Sequence, residues 1–122
     1  MIITDKESGW DSKVNFVDEN DVFVGYDTCQ CCCEDAGYFI SEDKNEQYRC
    51  DGNTNDEFVT DGYVFDVSYC VGVDSDDLDD GGQVCFRLTK DGSDDLYLHL
   101  YNSHNGYYSH GFETSHMGDG SL

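Results

Sequence analysis

Between Tyr63 and Val73 every second residue is aromatic or β-branched: Tyr63, Phe65, Val67, Tyr69, Val71 and Val73, with Asp66, Ser68 and Cys70 among the residues between them. A period of two belongs to a strand with one buried face. This segment therefore predicts the longest strand of the chain, with Cys70 on its more polar side. Strand formers of the same kind recur throughout. Proline is absent and thirteen glycines are available for turns, so the grammar is strand and turn rather than helix.

The remaining elements follow from the same pattern. Trp10 to Asp18 places Val14 and Phe16 on one face, Asp18-Glu19-Asn20-Asp21 reads as a turn, and Val22, Val24 and Tyr26 form the next inward face. Gly37 to Ile40 is a short strand. The polar stretch Ser41 to Gln47 can hold one short helical turn near Asp43, capped by Ser41. Tyr48-Arg49-Cys50 reads as a further short strand. The loop Asp51 to Asp56 lacks the central glycine and terminal glutamate of a calcium-binding EF-hand.

Val84, Phe86 and Leu88 define another strand, with Cys85 on its other face, and Leu96, Leu98 and Leu100 define the next. The Asn105-Gly106 pair predicts a terminal hairpin. A three-residue turn with a glycine bulge sets His110 opposite Leu100 and points it inward, with His99 outward and His104 in the turn. Residues 115–122 read as a frayed tail. The fold expected is mainly β: one domain over residues 1–122, built as a single antiparallel sheet of hairpins with at most one short helix.

Cys29-Gln30-Cys31-Cys32-Cys33 is the densest chemical feature. Adjacent thiols pair poorly with each other, and seven cysteines cannot all pair within one chain. Met1 to Lys6 lacks the basic and apolar regions of a signal peptide, which predicts an intracellular, reducing address. Reduced thiols at Cys29-x-x-Cys32 spacing point to a structural zinc site, Zn2+ held by Cys29, Cys32, Cys33 and a remote ligand. His110 is the first choice for that ligand and His104 the second, and Cys31 is an alternative to one of the proposed ligands. Cys50, Cys70 and Cys85 are dispersed and read as small apolar residues. No nucleophile elbow, phosphate-cradling loop or metalloprotease helix motif is present, so the expectation is a protein that is not an enzyme.

Charge limits the partners. Twenty-seven acids against six bases leave a formal net charge of −21. A compact chain of this length is roughly 35 Å across. Duplex DNA carries one charge per ~1.7 Å, so about 36 Å of it carries roughly 21 charges. A protein with that linear charge density is repelled by nucleic acid and drawn to the basic proteins that bind it. The candidate contacts are Asp74, Asp76, Asp77, Asp79 and Asp80, in a carboxylate-rich loop, with Asp91, Asp94 and Asp95 in a later turn. The alternative reading is a zinc-stabilised accessory protein whose acidity serves only solubility.

The chain also resembles a group of small phage and prophage proteins. The resemblance lies in Cys32-Cys33-Glu34, in Asn105-Gly106-Tyr107-Tyr108 with the following Ser109-His110, and in Val84-Cys85-Phe86-Arg87-Leu88. Small, very acidic phage proteins include anti-CRISPR inhibitors of Cas9, and this chain looks like one of them. That resemblance implies a monomeric DNA mimic in the cytoplasm of a phage-infected bacterium, binding Cas9 and blocking DNA loading, with no direct contact to nucleic acid or membrane. Cas9-type effectors hold nucleic acid in basic channels and read backbone more than sequence, which makes such competition physically direct.

Overall fold

The computed structural model describes residues 1–6, 12–28, 35–49, 58–73, 80–104, 110–116 and 118–122. Among the described residues nine strands occur in chain order: β1 Ile2–Lys6, β2 Lys13–Val17, β3 Phe23–Asp27, β4 Asp35–Ser41, β5 Val64–Gly72, β6 Asp80–Thr89, β7 Leu96–His104, β8 Gly111–Thr114 and β9 Gly118–Ser121. They form two antiparallel sheets, β1-β2-β3-β8-β9 and β4-β7-β6-β5, where a single sheet was expected. The reason is that both inward faces are strongly apolar, and two such faces bury most by covering each other. Val14, Phe16, Val24 and Tyr26 of the five-stranded sheet share one core with Ile40, Phe65, Val84, Phe86, Leu88, Leu98 and Leu100 of the four-stranded sheet. Tyr26 Oη donates to Tyr101 O across the interface at 2.8 Å.

The centre of the four-stranded sheet follows its alternation. Val84 faces Leu100, Phe86 faces Leu98 and Leu88 faces Leu96 across β6 and β7. Each fully buried leucine or phenylalanine contributes about 1.5–3 kcal/mol relative to exposure. Val14 and Phe16 are likewise fully buried, as their spacing predicts. The turn expected from Asp18 to Asp21 is formed, with Asp21 at a φ of 60°, a left-handed position that aspartate tolerates.

β5 departs from its simple alternation. Phe65 lies opposite Leu88, yet Cys70 lies opposite Phe86, so five positions along β5 match two along β6. The surplus of three is odd, and an odd surplus exchanges the two faces of a strand. Beyond the bulge it is Cys70 that packs against the core, whereas Val71 is 40% exposed and Val67, within the shifted stretch, is 53% exposed. The expected placement of Cys70 on the polar side is therefore corrected.

Four more expectations change. Residues 41–47 form a turn without a helix: Glu46 N donates to Asp43 O at 3.2 Å and Asn45 N to Asp43 Oδ1 at 2.8 Å. The short polar side chains there satisfy the backbone locally, which competes with helix formation. Tyr48 and Arg49 belong to no strand, and Cys50 lies outside the described residues. β7 and β8 do not pair with each other. β7 is flanked by β4 and β6, and β8 joins the other sheet between β3 and β9. His110 accordingly faces Leu122, not Leu100, through Leu122 N to His110 O at 2.8 Å and His110 N to Leu122 O at 2.9 Å. The end expected to fray is strand β9, and Leu122 packs against the core.

Candidate functional site

Three groups of side chains bear on function: a histidine on the outer face of the four-stranded sheet, His110 at one end of the sandwich, and carboxylates at both ends.

The outer face carries Phe39 and Ser41 from β4, Gln83 and Cys85 from β6, and His99 from β7. Alternation turns these away from the core, so His99 was expected to meet solvent. Instead it is fully buried, because residues 42–48 fold back over it. His99 stacks on Phe39 with ring centroids 4.5 Å apart. Its Nε2–H points to Asp43 O and Ser41 Oγ, both at 3.1 Å. Its Nδ1 accepts from Gln83 Nε2 at 2.9 Å. Gln83 also donates to Glu46 O at 2.7 Å and accepts from Tyr48 N at 2.8 Å. A carbonyl can only accept and an amide nitrogen only donates, so this set specifies one neutral tautomer. Burial holds the imidazole down to about 4, against the weaker upward pull of Asp43.

Ser41 and His99 do not make a nucleophile and base. The serine hydroxyl donates to Asp43 O at 2.8 Å, and the histidine nitrogen nearest it already carries a proton. The orienting partner on Nδ1 is an amide rather than a carboxylate. The arrangement fastens residues 42–48 to the sheet. Tyr48 adds a hydrogen bond to Asp35 Oδ2 at 2.6 Å and packs on Tyr101 at 4.5 Å.

Neither His99 nor Gln83 carries a sequence signal beyond being polar in an alternating strand. What buries them lies about 35 residues from Gln83 and about 56 from His99 in the chain.

Of the expected zinc ligands, Cys29, Cys32 and Cys33 lie outside the described residues, as does the alternative Cys31. His104 ends β7 opposite Asp80. His110 is buried as expected, and its Nδ1–H donates to Asp27 O at 2.7 Å. Asp27 closes β3, two residues before Cys29, so the fold brings His110 to the strand end from which the cysteine segment departs. A donated Nδ1–H to a backbone carbonyl is the arrangement that orients Nε2 toward a metal. Among the described residues no three His, Cys, Asp or Glu side chains converge as a metal site. Cys70 and Cys85 are free thiols. Burial raises both, Cys85 to about 12, which makes them the inert apolar residues expected.

The candidate contact acids that lie among the described residues fall at opposite ends of β6. Asp91, Asp94 and Asp95 are exposed in the β6–β7 turn, and Asp95 lies 3.8 Å from Arg87. Asp80 begins β6 at its other end, while Asp74, Asp76, Asp77 and Asp79 lie outside the described residues. The ends of β6 are roughly 30 Å apart at the rise of a strand. Glu19, Asp21 and Asp61 are exposed in turns at the same end as Asp91. Phe65 N donating to Asp18 Oδ2 at 2.8 Å and Tyr63 Oη donating to Asp94 O at 2.9 Å tie those turns together.

Arg87 is half-buried between Tyr69, 4.1 Å from its guanidinium, and Tyr97 at 5.8 Å, with Asp66 at 3.4 Å. Among the described residues no helix is long and apolar enough to cross a membrane. Comparisons with family models, curated proteins and solved structures returned no match.

Proposed function

We propose that this chain is a non-enzymatic inhibitor that occupies the nucleic-acid channel of a basic protein. The single observation that carries this reading is a net charge of −21 on a β-sandwich whose exposed acids are spread over its length rather than gathered in one patch. A channel that grips a duplex backbone presents cations over tens of ångströms. Acidic turns at one end and Asp80 at the other, roughly 30 Å away along β6, suit such a channel better than a single compact cationic pocket.

The particular form proposed is an anti-CRISPR protein of phage origin. It acts in the host cytoplasm on Cas9 and prevents DNA loading. Fast, salt-sensitive association follows from electrostatic steering. Asp91, Asp94 and Asp95 are the proposed contacts at one end, and Asp74, Asp76, Asp77, Asp79 and Asp80 those at the other.

A structural zinc ion held by Cys29, Cys32, Cys33 and His110 is part of the same proposal. The hydrogen bond from His110 Nδ1 to Asp27 O supports it. Bound there, zinc would tie the end of β3 to the start of β8 and offset self-repulsion among the acids. His110 would supply a fixed imidazole, and the absence of an exchangeable position would make the site structural.

The test is a pull-down with Cas9 and its guide, using the wild type, an Asp91, Asp94, Asp95→Asn triple variant and an Asp76, Asp77, Asp79, Asp80→Asn variant. Loss of capture in either variant at unchanged folding supports the charge reading. Capture unaffected in both, or no capture by the wild type, overturns it.

A further inference from the structure

We infer that residues 42–48 form a proton-released strap, docked on the four-stranded sheet while His99 is neutral and freed when acid protonates it. The geometry makes His99 and Gln83 the two fastening points. His99 Nε2–H holds the near part of the strap through Asp43 O, and Gln83 holds the far part through Glu46 O and Tyr48 N. The two side chains are joined by the bond from Gln83 Nε2 to His99 Nδ1.

Protonation puts a hydrogen on Nδ1, where the Gln83 amide already presents one. Two donors then face each other at 2.9 Å in a site without solvent. Turning the amide over does not relieve this, because the carboxamide oxygen is then lost to Tyr48 N and the amide group to Glu46 O. One proton therefore breaks the join between the two fastening points and leaves a charged ring buried beneath the strap, although the bond from Nε2 to Asp43 O persists.

The ionisable groups around the ring do not rescue the charge. Cys85 of β6 lies 4.0 Å from Nε2 as a neutral thiol. Tyr97 and Tyr101 share the outer face on β7; β4 contributes the uncharged Phe39 and Ser41 together with Asp35, whose carboxylate takes the Tyr48 hydroxyl at 2.6 Å, and Arg87 of β6 pairs with Asp66 and Asp95. From the strap, Asp43 favours protonation, but burial outweighs it. Glu46 and Tyr48 meet Gln83 through backbone atoms. Once the strap lifts, His99 regains the ordinary histidine range near 6.5, and the floor of Phe39 and Tyr101 is uncovered.

Amide hydrogen exchange followed by NMR tests this on the intact chain. Lowering the pH from 7.5 to 5.5 is expected to raise the opening equilibrium of the strap about tenfold, by proton linkage to a released histidine of ordinary range. The Tyr48 amide, corrected for intrinsic exchange, should lose protection by that factor. It should also be less protected than Leu98 in the centre of the sheet at each pH, the mark of local opening. Gln83→Glu supplies an acceptor for the added Nδ1 proton and is expected to flatten or reverse the pH response. If that variant does not fold, the titration of the wild-type His99 ring decides, with a ring still neutral at pH 5.5 expected. Tyr48 protection that is independent of pH, that equals Leu98 protection throughout, or that responds to acid identically in Gln83→Glu overturns the inference. So does a His99 ring that titrates in the ordinary range while the strap stays closed.

Discussion

Asp18 Oδ2 accepts the Phe65 amide at 2.8 Å, so one buried carboxylate of the five-stranded sheet holds the edge strand of the other. Its Oδ1 accepts Asn20 N and Val22 N, each at 2.9 Å, closing the turn before β3. Asp18→Ala strands three amides, two of them partly buried and one fully. Stability is expected to fall by about 3 kcal/mol, since hydrogen bonds to charged groups carry roughly 1.5–3 kcal/mol each and water satisfies part of the loss. Urea denaturation monitored by tyrosine fluorescence measures it.

The bulge in β5 makes a contrast available within one strand. Val67→Thr and Val71→Thr are expected to change stability by no more than about 0.5 kcal/mol, as exposed positions do. Phe65→Ala is expected to cost about 3–5 kcal/mol. An unbroken alternation would bury all three side chains on one face, and both valine changes would then be costly. Chemical denaturation of the three variants separates the two cases.

Acid is expected to destabilise the fold through His99. Its folded value of about 4 lies below the ordinary histidine range. The unfolded chain thus binds more protons than the folded one between about pH 6.5 and 4, and stability falls as pH drops through that window. At roughly 1.4 kcal/mol per unit, the loss approaches about 3 kcal/mol at the lower end. Above pH 6.5 this contribution is fully present. Denaturation midpoints of wild type and His99→Gln across pH 7.5 to 5 should converge as the wild type loses its advantage.

Removing residues 118–122 is expected to lower the thermal midpoint markedly. The deletion strips the partner strand from β8, and it removes Leu122 O from Asn102 Nδ2, which donates to it at 3.0 Å. A loss of two or more buried hydrogen bonds and a core leucine contact amounts to several kcal/mol. A melting curve unchanged by truncation would mean that β9 contributes nothing.

The strands were legible in the sequence wherever alternation runs unbroken. Val14 with Phe16, and the facing rows Val84-Phe86-Leu88 and Leu96-Leu98-Leu100, occupy the core as their spacing requires. What alternation does not encode is which strands pair. Asn105-Gly106 looks like a hairpin turn between Leu100 and His110, yet β8 pairs with β3, where Tyr26 lies opposite Phe112. Nor does it reveal the bulge, since Val67 and Val71 are as apolar as any core residue. His110 was identifiable as buried, although for the wrong pairing. His99 was not, because only the fold-back of residues 42–48 covers it. The wider charge distribution was legible as a total, while its division between the two ends of β6 needed the topology.

The central claim is that this acidic sandwich takes the place of DNA in a basic channel. Its most direct measurement is the binding of a target duplex by the Cas9–guide complex, titrated with this protein at about 50 and about 200 mM salt. Loss of duplex binding at near-equimolar protein, with competition weakening tenfold or more at the higher salt, is the predicted result. Duplex binding that persists at the lower salt with excess protein present would contradict the account.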